Sequence, residues 1–203
     1  MITLINPNIV TQKGDYFGSG IPYWPITLAY IAGMLKEHKI KHEVIDAFGE
    51  KPKQTWTNID DDTIVQGLYL YEINDKINKD SEYIIIYSGL TVSHNSTSYM
   101  VNHIKSQNPK KKIIIIGNIH LVVAYPVEKA KKDFFHSGAD IIVYGEPEHT
   151  IIDLIKGIPL SQVKGIIYQM GNKIHVTPAR QSEKNPDKFP FPDWSKLQEY
   201  VFQ

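Results

Sequence analysis

The sequence predicts an α/β fold: a doubly wound parallel sheet of five strands, with a C-terminal β-hairpin and a linker appended. Three observations predict it. Apolar runs of strand length alternate with segments of helical period through the first 160 residues. The later runs, Tyr83 to Tyr87, Lys112 to Ile116 and Asp140 to Tyr144, are nearly continuously apolar, as strands buried on both faces must be. Beyond residue 160 the pattern changes to two short strand-like segments around Gly171-Asn172 and then to a proline-rich tail.

Ile2 to Asn6 is the first strand, short and β-branched. Leu28, Ile31, Ala32 and Leu35 recur at i, i+3, i+4 and i+7, which predicts a helix with Pro25 near its start. His42 to Ala47 is the second strand, and Phe48 to Asp60 reads as loop. Asp61, Asp62 and Thr63 offer caps and negative charge to a helix carrying Ile64, Leu68, Tyr71 and Ile77. After the third strand, Ser93 to Gln107 is helical, with Met100 and Ile104 four apart. After the fourth, Pro126 to His136 carries Ala130 and Phe134 and stops at Gly138. The fifth strand leads to a short helix, Glu148 to Lys156, ending at Gly157. Val163 to Tyr168 and Lys173 to Thr177 flank Gly171-Asn172, a two-residue signal for a type II′ hairpin turn. The tail contains Phe189-Pro-Phe-Pro-Asp-Trp194, whose prolines exclude a helix interior or central strand and whose aromatics favour docking. The organisation that results is an α/β domain over 1–160, a hairpin over 161–180 and a linker over 181–203.

The 22 Lys+Arg cancel the 22 Asp+Glu, which disfavours a general nucleic-acid binder. The absence of cysteine excludes disulfides, a thiol nucleophile and any cysteine-ligated cluster within these residues. No window reaches the ~18 apolar residues of a membrane span, and the N-terminal residues lack a signal-peptide pattern, so a cytoplasmic protein without a membrane partner is expected. The eight histidines are scattered, and His38 and His42 are not one helical turn apart, so no metal site is expected.

In an open parallel sheet, ligands bind beyond the carboxyl ends of the strands where strand order reverses. The loop after strand one, Pro7 to Trp24, is long and carries Tyr16, Phe17, Gly18, Gly20, Tyr23 and Trp24, which points to a ligand or partner surface. Strand three ends in Ser88-Gly-Leu-Thr91, offering small hydroxyls that serve a ligand or cap a helix. Strand four ends in Gly117-Asn-Ile-His120, where glycine permits close approach and the histidine reads more simply as a local hydrogen-bonding group than as a metal ligand. Strand five ends in Gly145-Glu-Pro-Glu148, whose carboxylates read most simply as favourable charge at a helix N-terminus. Asn6-Pro7 and Ser88-Gly89 stand where a receiver domain needs acids, the hydroxyl-rich phosphate loop of a flavodoxin is missing, and Gly18-Ser-Gly20 ends in Tyr23 where a dinucleotide fingerprint needs its third glycine.

One family joins these pieces in order. Its opening resembles Ile5-Asn-Pro7 followed by Trp24-Pro-Ile-Thr-Leu-Ala-Tyr-Ile-Ala-Gly-Met-Leu-Lys36, and its second strand Glu43-Val-Ile-Asp-Ala47. Its Ser-x-Leu is similar to Ser88-Gly-Leu90, its Gly-Gly to Gly117-Asn118, and its Gly-Glu-x-Glu to Gly145-Glu-Pro-Glu148. Its hairpin resembles Lys164-Gly-Ile, and its Pro-Phe-Pro linker Phe189-Pro-Phe-Pro-Asp-Trp194. The chain thereby resembles the N-terminal cobalamin-binding-like domain of B12-dependent radical SAM proteins. Two departures stand out: the Asp-x-His-x-x-Gly motif that supplies an axial histidine is absent, as is common among radical SAM members, and Asn118 replaces the second glycine.

The resemblance implies a Rossmann-like or flavodoxin-like sheet that binds cobalamin base-off without a protein histidine, its tail threaded between strands one and three. The implied cofactor contacts are Pro7, Tyr16, Trp24, Ser88, Gly89, Leu90, Thr91, Gly117, Asn118, His120, Gly145 and Glu146, with no catalytic or metal-ligating residue. It also implies an intramolecular partner, a radical SAM barrel holding a 4Fe-4S cluster and S-adenosylmethionine, in a parent enzyme of methyltransferase type. The family's cysteine motif follows the linker and is not reached by Gln203, so a domain fragment that catalyses nothing alone is expected. The alternative is a degenerate domain without cobalamin, serving substrate recognition or bracing the barrel, in which side chains fill the crevice.

Overall fold

A computed structural model of the chain describes residues 1–13, 26–57, 63–89, 91–117 and 126–196. In chain order the elements are β1 (Ile2–Asn6), β2 (Ile9–Gln12), α1 (Ile26–Glu37), β3 (His42–Asp46), β4 (Thr55–Trp56), β5 (Thr63–Gln66), α2 (Leu70–Lys76) and β6 (Tyr83–Ser88). There follow α3 (His94–Gln107), β7 (Lys112–Gly117), α4 (Lys131–Ser137), β8 (Ile141–Val143), α5 (Glu148–Ile155), β9 (Ile166–Met170) and β10 (Lys173–Val176).

The main sheet runs β3-β1-β6-β7-β8-β9-β10. Its first five strands are the five expected ones, and all pair in parallel. The sheet has seven strands rather than five because the hairpin does not hang free: β9 pairs antiparallel with β8, Val143 opposite Ile166 and Ile141 opposite Tyr168. An isolated hairpin is marginal in water, and here Ile166, Ile167 and Tyr168 are buried by extending the core. Its turn has Gly171 at φ +57° and Asn172 without a positive φ, the type II′ pattern.

Alternation along the strands divides the core into two layers. Leu4, Ile85, Tyr87, Ile114, Ile116, Val143 and Ile166 face α1 and α5. Ile5, Ile45, Ile84, Ile86, Ile113, Ile115 and Ile142 face α2, α3 and α4, where Ile73, Met100, Ile104 and Phe134 meet them. Strand order reverses at β1, which lies between β3 and β6, so the switch point is the carboxyl end of the β1–β6 pair.

Two segments depart from expectation. Thr63, expected as a helix cap, begins β5, which pairs antiparallel with β2 and with β4, making a second sheet of three strands. The helix waits until Leu70 because Gly67 takes φ +121°, and the β-branched Thr63-Ile-Val65 run favours extended backbone. Asn8 ties this sheet to the first, its Nδ2 donating to the carbonyls of Gln66 (3.2 Å) and Leu68 (3.0 Å). The helix expected from Pro126 instead begins at Lys131, after turns in which the Lys129 and Ala130 amides donate to Pro126 and Val127. It ends as expected at Gly138, φ +104°.

Candidate ligand-binding site

At the switch point the ends of β1 and β3 are tied together. Asn6 Nδ2 donates to Asp46 Oδ1 at 2.8 Å, and the Gly49 amide donates to the same oxygen at 3.0 Å. Pro7, Asn8, Phe48, Tyr87, Gly89 and Ser93 close around a space of about 10 Å³, the threshold for one water molecule. The Tyr87 side chain lies against Gly89, where a Cβ would fall 2.5 Å from the phenol oxygen, so a larger residue there would displace the tyrosine ring.

The larger space lies one step along the same edge. Helices α1 and α5 share one face of the sheet, and between their N-terminal ends a cleft of about 180 Å³ reaches the sheet. Ile26, Thr27 and Tyr30 of α1 form one wall, and Glu146, Pro147 and Glu148 at the start of α5 another. Gly117 at the end of β7 contributes to the lining, and Phe189 of the linker completes it.

The linker is held there by specific contacts. Phe189 packs edge-on against Tyr30, centroids 6.3 Å apart, and tilted against His149 at 5.3 Å. The Glu183 amide donates to Glu146 Oε2 at 3.0 Å, and the Asp193 amide to the Ala29 carbonyl at 2.9 Å. Asp193 also pairs with Lys36 at 3.3 Å. Gly33 lets the strap lie this close: a Cβ there would sit 2.4 Å from the Phe191 carbonyl oxygen.

Glu148 is the unusual polar group of the cleft. Its Oε2 is buried and has no hydrogen-bond partner among the described residues. Burial pushes its carboxyl above the usual range, the nearby Glu146 charge acts the same way, and a backbone hydrogen bond opposes them. The cleft thus combines aromatic and aliphatic walls with a few polar groups, a composition suited to a mostly apolar ligand carrying a few hydrogen-bonding groups.

Of the residues singled out from sequence, Gly117 and Glu146 meet in this cleft, and Gly145 makes the turn beside it at φ +76°. Pro7 and Gly89 line the small switch-point space instead. Ser88 is buried at the end of β6, opposite Gly117, and by alternation lies on the Ile84 and Ile86 face, away from α1 and α5. Gly117 relieves crowding on that other face too, since a Cβ would meet Val127 Cγ1 at 3.0 Å. Thr91 is exposed in a 3-10 turn. Tyr16, Trp24, Leu90, Asn118 and His120 lie outside the described residues. Sequence reasoning missed Tyr30, Phe189 and Tyr87; Glu148 stands in the first turn of α5, as its helix-end reading expects, and also lines the cleft. The available signals were the second carboxylate of Gly145-Glu-Pro-Glu148 and an aromatic-rich linker needing a surface.

No protein-family model matches the chain, and no curated protein matches it in sequence. Among solved structures it is similar to a radical S-adenosylmethionine methyltransferase, TsrM from Kitasatospora setae, determined with cobalamin and a 4Fe-4S cluster bound. The TM-score is 0.56 at 13% identity, covering 93% of this chain and 30% of that chain. The likeness is one of fold: nearly all of this chain follows the path of a part of a much longer protein.

Proposed function

We propose that the chain is a cobalamin-binding domain that holds the cofactor at the carboxyl edge of its sheet, base-off and without a protein histidine ligand. In this reading it belongs to a longer, cytoplasmic enzyme of radical SAM methyltransferase type, whose barrel carries the 4Fe-4S cluster and S-adenosylmethionine. The observation that carries it is the open α1–α5 cleft beside the switch point, in a fold like that of a cobalamin-bound methyltransferase. Among the described residues no helix is long and apolar enough to cross a membrane.

The residues fit such a group. The orphaned Glu148 Oε2 is a buried polar atom awaiting a partner, and Ile26, Tyr30, Pro147 and Phe189 offer an apolar slot for a flat ring. Thr27 and Glu148 would orient amide or hydroxyl groups, and Gly117 would let the ligand approach the sheet end. The remaining contacts would come from the β1 and β6 ends, Pro7, Ser88, Gly89 and Thr91, and from Gly145, Glu146, Tyr16, Trp24, Leu90, Asn118 and His120. When bound, cobalamin supplies an alkyl–cobalt bond for methyl transfer, and the chain's task is to position and desolvate it.

A specific observation favours a second reading, a domain without cobalamin: the switch-point space is nearly filled by Tyr87 and Phe48 and their neighbours. One experiment separates the two. Titration with hydroxocobalamin and methylcobalamin, followed by visible spectrum and Tm, is expected to give saturable binding with a base-off spectrum and a raised Tm. Stabilisation would be about 2.7 kcal/mol at a hundredfold excess over Kd. No spectral change and no Tm shift would leave the cofactor-free module.

A further inference from the structure

We infer that the outer edge of β10 docks a second copy of this chain, the two β10 strands pairing antiparallel about His175 so that the main sheets of two molecules join. This goes beyond the cofactor reading and does not depend on it.

A row of core side chains crosses the sheet and ends in the open there. Ile86, Ile115, Ile142 and Ile167 are partners on successive strands and are all buried in the layer that faces α2, α3 and α4. The next partner in the row is Val176 of β10, which is 60% exposed, and Ile174 on the same face is 37% exposed. Beyond β10 the sheet has no further strand among the described residues. An edge of this kind is a template for another strand.

The backbone of β10 fixes which residues would accept that strand. On the inner side, the Thr177 amide donates to the Ile166 carbonyl at 3.0 Å. Bonding direction alternates along an antiparallel strand, so Lys173 and His175 also turn their amides and carbonyls towards β9. Ile174 and Val176 turn theirs outward. In a second copy the same two residues face outward, and both are satisfied when Ile174 of each molecule stands opposite Val176 of the other. His175 then lies opposite its own counterpart on the two-fold axis. Other centrings do worse: centring on Ile174 sets Val176 opposite the turn residue Asn172, and centring on Val176 sets Ile174 opposite Pro178, which has no amide hydrogen.

The side chains agree with that register. On one face, Val176 carries the apolar row on to Ile174 of the second copy. On the other, His175 is stacked on Tyr168 with ring centroids 5.1 Å apart, and the pairing extends this into a row of rings across both molecules. Lys173 falls opposite Thr177, so the lysines do not oppose each other. Because the partner's strands run the opposite way, the carboxyl edges of the two sheets face opposite ends, and each α1–α5 cleft stays clear of the joint.

The test is sedimentation velocity of the chain at pH 8 between about 10 µM and 1 mM. A monomer–dimer equilibrium with Kd of about 100 µM is expected, weak because a short strand edge buries less than a standard interface of about 1,600 Å². Val176→Pro deletes one outward amide and spares the bonds to β9, and is expected to weaken the dimer by about tenfold or more. Ile174→Lys places a charge at the same joint on an exposed position and is expected to do likewise, with Tm showing that each variant is folded. The chain has no cysteine, so single replacements report the register. His175→Cys is expected to form a disulfide-linked dimer with oxidised glutathione, since facing residues of this kind have Cα atoms about 4.5 Å apart. Lys173→Cys, on the same face but opposite Thr177, is expected to crosslink far more slowly. A chain monomeric throughout would overturn the inference and leave the edge to an extended segment of a different protein. A dimer unaffected by both Val176→Pro and Ile174→Lys, or Lys173→Cys crosslinking as fast as His175→Cys, would overturn it as well.

Discussion

Gly67 lies where β5 turns into α2, and at φ +121° it holds a conformation that L side chains rarely adopt. A Cβ there would also sit 2.2 Å from the Ala47 carbonyl oxygen. Gly67→Ala is therefore expected to cost about 1–3 kcal/mol or more, read as a lower midpoint in urea denaturation. An unchanged midpoint would mean that the turn is looser than drawn. Nearby, Glu72 has its carboxyl pulled down to about 2, first by the Lys51 ammonium, then by Gln54 and the Tyr69 amide. Its folded pKa lies below the ordinary 4.5, so the stability it contributes is present above about pH 4.5 and is lost as pH falls towards 2. Glu72→Gln is expected to lower Tm at neutral pH, with the difference from wild type closing near pH 2. A difference that persists into acid would assign the effect to packing. The contribution is modest because Lys51 is 45% exposed.

Helix α1 illustrates how an element can be read correctly on one face and missed on the other. Its buried stripe of Leu28, Ile31, Ala32 and Leu35 is local periodicity, visible in sequence. Its second face carries the linker over Gly33, fastened by the Ala29 carbonyl and by Lys36. In an exposed helix interior, glycine to alanine stabilises by about 0.5–1 kcal/mol. At Gly33 the close Phe191 carbonyl reverses the sign, and Gly33→Ala is expected to destabilise by about 1–3 kcal/mol through overpacking. Hydrogen exchange should show the amide of Asp193 losing protection. A more stable variant would show that the strap is not anchored on α1.

At the scale of the molecule, the linker joins the hairpin end of the sheet to the α1–α5 cleft. From Val176 it passes Glu146, supplies Phe189 to the cleft and returns along α1 to Asp193. Phe191 stays 96% exposed on that strap, while Phe189 is partly buried. If Phe189 is a wall of the cofactor site, Phe189→Ala weakens methylcobalamin binding by removing an aromatic contact, by about tenfold for about 1.4 kcal/mol. Tighter binding on the same titration would identify Phe189 as a plug that the ligand must displace.

The sequence by itself determined the five parallel strands, the two helical layers and the hairpin turn. Strands buried on both faces need continuous apolar runs, and Gly138 ends α4 and Gly171 turns the hairpin through local backbone geometry. It also pointed to Gly117 and Glu146, since strand-end loops meet at one edge of any open parallel sheet. Only the tertiary structure decided that Thr63–Gln66 is a strand, because its partner Ile9–Gln12 lies far away in sequence and that pairing, with the nearby Thr55–Trp56, overrides the local caps. Only packing placed the open space between α1 and α5 and closed the switch point with Tyr87. Only packing shielded one oxygen of Glu148 at the start of α5, because solvent exclusion there depends on α1 and on a linker some forty residues downstream.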